Sequence, residues 1–377
     1  MASENNGKTR ILIVDDSVVV RGALTRLLGK YEDIEVVGSA GDPYEAREML
    51  VSLKPDVMTL DIEMPKMDGL TFLQKIMQHF PIPVVMLSSL TREGADLSMK
   101  AIDLGAVDVI NKPSSTQADG LRELGITLAD KIRAAAKARV RRKAPPPNAK
   151  YDPRGRPLGL SQPLGRVRGT GYAKGEIITP PPELKRNLHK VIAIGASTGG
   201  TEALRVVLER LPKECPPIVI VQHMPEYFTL AFANRMNSFC EIDVKEAEDG
   251  DRLRPGLAVI APGNSHLILR NLNGAFAVRV QDGPLVCRHR PSVEVLFQSV
   301  ARAAGPNAVG VMLTGMGGDG ATGMLCMKQK GALNIAQDEA SSVVFGMPKE
   351  AIKAGGVDKV QHLERIAETI IEFCCKR

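Results

Sequence analysis

Five short runs of apolar, β-rich residues recur through the first third of the chain: Ile11–Val14, Ile34–Val37, Val57–Leu60, Val84–Leu87 and Val107–Ile110. Each is apolar on both faces, as expected of strands inside a parallel sheet rather than strands with one wet face. Helical periodicity fills the intervals near Val18–Gly29, Tyr44–Lys54, Leu70–His79 and Ala95–Gly105, and a further helix follows Pro113 toward Arg142. The alternation predicts an α/β domain over residues 1–130, with a five-stranded doubly wound parallel sheet in strand order 2-1-3-4-5.

In that order strands one and three are neighbours, and their carboxyl ends form the crevice where ligands bind. Asp15 and Asp16 end the first strand and Asp61 ends the third. Three convergent carboxylates repel one another unless a hard cation sits among them, and Mg²⁺ fits because it takes oxygen ligands and keeps exchangeable waters. Asp61 is then placed to attack a phosphoryl donor. Lys112, after the fifth strand, can hold a phosphoryl oxygen as a point charge, and Ser88, ending the fourth, offers a hydroxyl that can follow it. An isolated strand-end Asp is usually a helix cap; five such residues in order are not.

Val14-Asp15-Asp16-Ser17, Leu60-Asp61-Ile62-Glu63-Met64-Pro65, Met67-Asp68-Gly69 and Asn111-Lys112-Pro113 resemble the receiver domain of two-component response regulators, over residues 8–130. The resemblance implies a flavodoxin-like fold, with Asp61 phosphorylated by a histidine kinase. It also implies Mg²⁺ held by Asp16 and Asp61 with help from Asp15, and Ser88 and Lys112 relaying the change.

Between Arg139 and Arg186 hydrophobic periodicity disappears, and Pro145-Pro146-Pro147 and Pro180-Pro181-Pro182 are interleaved with Gly and Arg. Residues 131–186 therefore read as a basic, extended linker. They carry 15 Lys and Arg against three carboxylates, a local charge of +12, whereas the whole chain is +6. The remainder is thus mildly acidic, which argues against nucleic acid as a partner. No apolar run approaches the ~20 residues of a membrane span, and the polar first ten residues carry no secretory signal. A cytoplasmic location without membrane insertion is expected. The six cysteines lack metal-ligand spacing and read as idle thiols.

From residue 187 to 377 the β-α pattern resumes. Strands are expected at Val191–Ile194, Ile218–Gln222, Ala258–Ile260, His266–Leu269, Ala275–Val280, Val309–Leu313 and Leu333–Ala336. Helices are expected at Thr201–Leu211, Phe228–Phe239, Val293–Ala304, Ala321–Lys330 and His362–Cys374. The prediction is a second doubly wound, mainly parallel sheet, with an antiparallel excursion between Ala258 and Val280 marked by Gly263-Asn264 and Asn273-Gly274.

Gly195-Ala196-Ser197-Thr198-Gly199-Gly200 follows the first of these strands and fits G-x-S-x-G, in which small residues let a serine project from a sharp strand-to-helix turn. Taken alone it could equally be a helix cap or a phosphate loop, although it lacks G-x-G-x-x-G spacing. His223 ends the next strand, at the same sheet edge. Of the other histidines, His189 lies at the opposite edge, and His266 and His289 sit in or beside the excursion and read as structural, with His289 left open. Thr314-Gly315-Met316-Gly317-Gly318-Asp319-Gly320 follows the strand Val309–Leu313. Asp319 alone would be a helix cap; beside Ser197 and His223 it becomes the acid that orients the imidazole. The order Ser…His…Asp differs from the Ser…Asp…His of α/β-hydrolases.

This set behind a receiver resembles the chemotaxis response-regulator methylesterase family (protein-glutamate methylesterase/protein-glutamine glutaminase) over residues 8–130 and 187–375. Arg290-Pro291-Ser292-Val293 and Ala336-Gln337-Asp338-Glu339-Ala340 belong to the same likeness. The resemblance implies a phosphorylation-activated serine hydrolase that demethylates glutamyl esters, and deamidates glutamines, on the cytoplasmic part of chemoreceptors. Ser197, His223 and Asp319 would be its triad, and Thr198, Met316 and Gly317 its oxyanion loop. No cofactor serves the hydrolysis. The partners implied are methylated chemoreceptors and a chemotaxis histidine kinase, with the enzyme a monomer. Two rivals remain: a transcriptional regulator, which salt-dependent DNA binding by the second domain would favour, and a non-catalytic receptor adaptor, which a Ser197 inert to fluorophosphonate would favour.

Overall fold

The structure is a computed structural model that describes residues 7–89, 91–112, 118–138 and 176–376. Its first domain alternates β1 (Thr9–Val14), α1 (Val18–Leu28), β2 (Ile34–Ala40), α2 (Pro43–Leu53), β3 (Val57–Asp61), α3 (Gly69–His79), β4 (Val84–Ser88), α4 (Arg92–Leu104), β5 (Asp108–Asn111) and α5 (Ala118–Lys137). The strand order is β2-β1-β3-β4-β5, all parallel, as expected. Helix starts are written locally: Asp42 accepts from Tyr44 and Glu45 N–H, and Asp68 and Thr91 cap α3 and α4 in the same way. Helix α5 runs past residue 130 and keeps Ile132, Ala134 and Ala135 buried. Most of the expected linker, residues 139–175, lies outside the described residues.

The second domain continues with β6 (Val191–Ala196), α6 (Gly200–Leu208), β7 (Ile218–Gln222), α7 (Phe228–Phe239), β8 (Asp243–Glu246), β9 (Leu257–Ile260), β10 (His266–Leu272) and β11 (Ala275–Gln281). It ends with α8 (Val293–Ala303), β12 (Ala308–Met312), α9 (Ala321–Gln329), β13 (Leu333–Gln337), α10 (Met347–Lys353), β14 (Lys359–Gln361) and α11 (Leu363–Cys375). Seven strands form one parallel sheet in the order β14-β13-β12-β6-β7-β9-β8. The antiparallel excursion proves narrower than expected. β9 pairs in parallel with β7 and β8, and only β10 and β11 form a hairpin, a separate two-stranded sheet. The reason lies in burial: all four β9 residues are buried, as a parallel interior strand requires, whereas the hairpin exposes its turn end at Asn271–Ala275. The hairpin turns on Asn273 and Gly274, both at positive φ.

Each sheet has one place where strand order reverses around its first strand. In the receiver this is the boundary of β1 with β3; in the second domain it is the boundary of β6 with β12. Both candidate sites stand at those carboxyl edges, where the flanking loops diverge and leave a crevice. The domains touch through α4 and α7, where the Arg235 guanidinium reaches Met99 O (3.3 Å) and pairs with Asp103.

Candidate active site

Ser197 is the first residue beyond β6 and is nearly buried; its N–H is held by Thr314 O at 3.0 Å. The turn into α6 passes through Gly199 at φ +78°, a conformation that a side chain would strain. Gly315 permits the approach from the other strand, since a Cβ there would lie 2.7 Å from Ser197 Cβ. His223 follows β7, and its N–H donates to Ala196 O at 3.1 Å. Asp319 precedes α9. The structure thus brings together all three residues picked from separate strand ends, around a cavity of about 600 Å³ that Thr198, Met316 and Gly317 also line.

The orientation of the imidazole could not have been read from sequence. His223 Nε2 donates to Asp319 Oδ2 at 2.8 Å, which leaves Nδ1 unprotonated; Nδ1 is buried and makes no hydrogen bond. Asp319 is not a cap of α9. Oδ1 accepts from Ser292 Oγ (2.8 Å) and Glu294 N–H (2.9 Å), and Oδ2 also accepts from Val293 N–H (2.7 Å), so the carboxylate sits on the N-terminus of α8. Burial alone would raise its pKa. The hydrogen bonds and charge of His223, with those from Glu294 and Ser292, outweigh burial and hold it below the usual 3.8. Sequence reasoning missed this support; Ser292 before an apolar helix with Glu294 in its first turn was the available signal. His289, left open by the sequence, stacks its ring on His223.

One wall of the cavity belongs to the receiver, including Asn111, Asp130 and Lys131. Thr198 Oγ1 donates to Asp108 Oδ2 at 2.7 Å, Asp108 pairs with Lys131, and Arg288 Nη1 stands 3.3 Å from Asp130.

In the receiver, ligand oxygens of Asp15, Asp16 and Asp61 all lie within 4.8 Å of one another. Lys112 Nζ is 2.6 Å from Asp61 Oδ2 and 3.1 Å from Asp15 Oδ2. Burial, opposed by Lys112 and reinforced by the Asp15 charge, pushes the Asp61 carboxyl up to about 6. Such a set, with buried Oδ2 atoms on Asp15 and Asp61 that make no well-formed hydrogen bond, suits a divalent cation with oxygen ligands. Ser88 is brought to the same edge, but its hydroxyl donates to Gly94 O (3.1 Å) in the first turn of α4, not to Asp61.

Residues 192–370 match the family model for CheB methylesterase, and residues 11–122 that for the response regulator receiver domain. A protein-glutamate methylesterase/protein-glutamine glutaminase 2 of Syntrophus aciditrophicus is 52% identical across 97% of this chain and 99% of its own length. This chain belongs to the CheB methylesterase family. A further relative, from Methylobacillus flagellatus, is named protein-glutamate methylesterase/protein-glutamine glutaminase and is 50% identical over 97% of this chain and 96% of its own. Among solved structures, the Thermotoga maritima CheB methylesterase catalytic domain is 41% identical, covering 48% of this chain and 97% of that one, with a TM-score of 0.48. No helix among the described residues is long and apolar enough to cross a membrane.

Proposed function

We propose that the chain hydrolyses glutamyl γ-methyl esters on chemoreceptor cytoplasmic segments, and deamidates glutamines there, under control of Asp61 phosphorylation. The observation that carries the chemistry is the His223–Asp319 pair with Nδ1 left unpartnered in the Ser197 cavity. Nδ1 takes the Ser197 hydroxyl proton as Oγ attacks the ester carbonyl. Gly315 N–H is already given to Val344 O (3.0 Å), so the oxyanion donors proposed are the backbone N–H groups of Met316, Gly317 and Thr198. One such donor is worth ~10²–10³ in rate. As the tetrahedral intermediate collapses, the C–O bond to methoxide breaks and His223 returns the proton, so methanol leaves. Water, deprotonated by Nδ1, then attacks the acyl-enzyme; the bond to Oγ breaks, Ser197 regains that proton from His223, and the glutamic acid formed gives its own proton to solvent as it leaves. With an amide the leaving group is ammonia.

On the same reading Asp15, Asp16 and Asp61 hold Mg²⁺, which when bound screens the carboxylates and the incoming phosphoryl group. A histidine kinase supplies the phosphoryl group, and Lys112 holds one of its oxygens. The receiver wall on the cavity supports inhibition by covering. Ser88, tied to α4 through Gly94 O, supports a route from Asp61 to the α4–α7 contact. Methanol release from methylated receptor, with and without a small acyl phosphate, tests both halves. Release by Ser197→Ala would sink the catalytic assignment, and stimulation of Asp61→Asn equal to wild type would sink the switch.

A further inference from the structure

His223 has a second neighbour that this mechanism leaves unused. The His289 ring lies face to face with it, centroids 3.7 Å apart and planes inclined by 15°. A tight turn presents that ring. Val286 and His289 exchange both backbone hydrogen bonds, at 3.1 and 2.9 Å, and the two residues between them, Cys287 and Arg288, have φ of +51° and +68°. Positive φ at both central positions suits Asn-Gly; Cys-Arg is strained there. Strain of this kind persists where surrounding structure enforces it and points to a functional demand on what the turn carries.

The charged and titratable groups acting on His289 come from four directions: His223 beyond β7, Asp319 before α9, Lys131 on α5 and Arg288 in its own turn. His289 as a whole is half-buried and lines the cavity. Even so, burial first, and then the neighbouring His223, Lys131 and Arg288, outweigh the pull of Asp319 and push His289 down to about 2. The ring is therefore uncharged whenever His223 accepts a proton, and it does not repel the imidazolium.

We infer that His289 is a positioning residue for His223: its stacked face prevents the imidazole from swinging, keeping Nε2 on Asp319 and Nδ1 unpartnered in the cavity that Ser197 lines, and offers a π surface to the imidazolium. The inference rests on the Ser197–His223–Asp319 reading. Its consequence is that the face matters and the ring nitrogens do not.

The test uses the full chain activated by an acyl phosphate, with methanol release from methylated receptor as the readout and thermal melting as a check on folding. Misplacement of about 1 Å can cost ~10²-fold, so His289→Ala and His289→Leu are expected to lower kcat by ~10–100-fold with KM within about twofold of wild type. His289→Phe, flat and without a titrating nitrogen, should keep at least about a third of wild-type kcat. The inference is overturned if Ala matches wild type, if Phe is as slow as Leu, or if the loss falls on KM instead of kcat. Should Ala fail to fold, the Leu–Phe comparison decides. A wild-type chain that releases no methanol would overturn the esterase reading itself.

Discussion

Replacing Asp319 by Asn probes the His223 orientation more sharply than truncating the side chain. Oδ2 accepts from His223 Nε2 and Val293 N–H, whereas Oδ1 accepts from Ser292 Oγ and Glu294 N–H. An amide NH₂ placed at Oδ2 would face two donors. Placed at Oδ1 it faces only the Glu294 N–H, because the Ser292 hydroxyl can turn and accept. In the first arrangement the imidazole can accept from the amide only by moving its proton to Nδ1, which has no hydrogen-bond partner, and the Val293 N–H is still stranded. The second strands only the Glu294 N–H, so it is the favoured rotamer, and it keeps oxygen on His223 and the proton on Nε2. What remains lost is the charge opposite the imidazolium. At ~4 Å between charge centres and an effective dielectric of ~20, that attraction is about 4 kcal/mol. It corresponds to ~10³ in kcat, less than the ~10⁴ that a wrong tautomer costs. Asp319→Ala also frees the ring and should fall about tenfold further. Methanol release by the phosphodonor-activated chain measures both variants. If Asn drops to the level of Ala, the rotamer argument is wrong; if Asn keeps more than ~10% of wild-type kcat, Asp319 is not the catalytic partner of His223.

Arg235→Ala removes the bond to Met99 O and the ion pair with Asp103, a part-exposed pair worth ~1 kcal/mol. Methanol release without phosphodonor should therefore rise about fivefold, and an unchanged rate would count against closure through this contact. In Gly315→Ala the new methyl would lie 2.4 Å from Met347 Sδ and 2.7 Å from Ser197 Cβ. Overpacking of ~1–3 kcal/mol is expected, visible as a lower Tm together with lost esterase activity; a variant with wild-type Tm and kcat would show that the turn yields freely. Asp319 has a folded pKa below its unfolded 3.8, so its stabilisation is present above pH 3.8 and lost as pH falls through the folded value. Acid unfolding followed by circular dichroism should be less steep in that range for Asp319→Asn than for wild type, and identical limbs would refute it.

Much of the chemistry was legible because it stands at strand ends. Asp61, Ser197 and His223 each close or follow a run of fully buried residues, and such runs are conspicuous in sequence. Less visible were β8 (Asp-Val-Lys-Glu) and β14 (Lys-Val-Gln), edge strands of four and three residues with mostly polar composition, and the seven-residue α10. Short edge elements bury little, so they leave almost no periodicity to detect.

Sequence alone determined that two doubly wound sheets form and which residues reach their crevices. Alternating apolar periods dictate which face of each element is buried, and the Gly-rich turns at Ser197 and Asp319 carry their own backbone requirements. Only the tertiary structure decided the remaining contacts: which imidazole nitrogen meets Asp319, that α8 holds that carboxylate, that His289 stacks on His223, and that Asp108 of the receiver reaches Thr198. These contacts join loops from different parts of the chain. Their distances follow from how the sheets, helices and domains pack together, which no local pattern of polarity encodes.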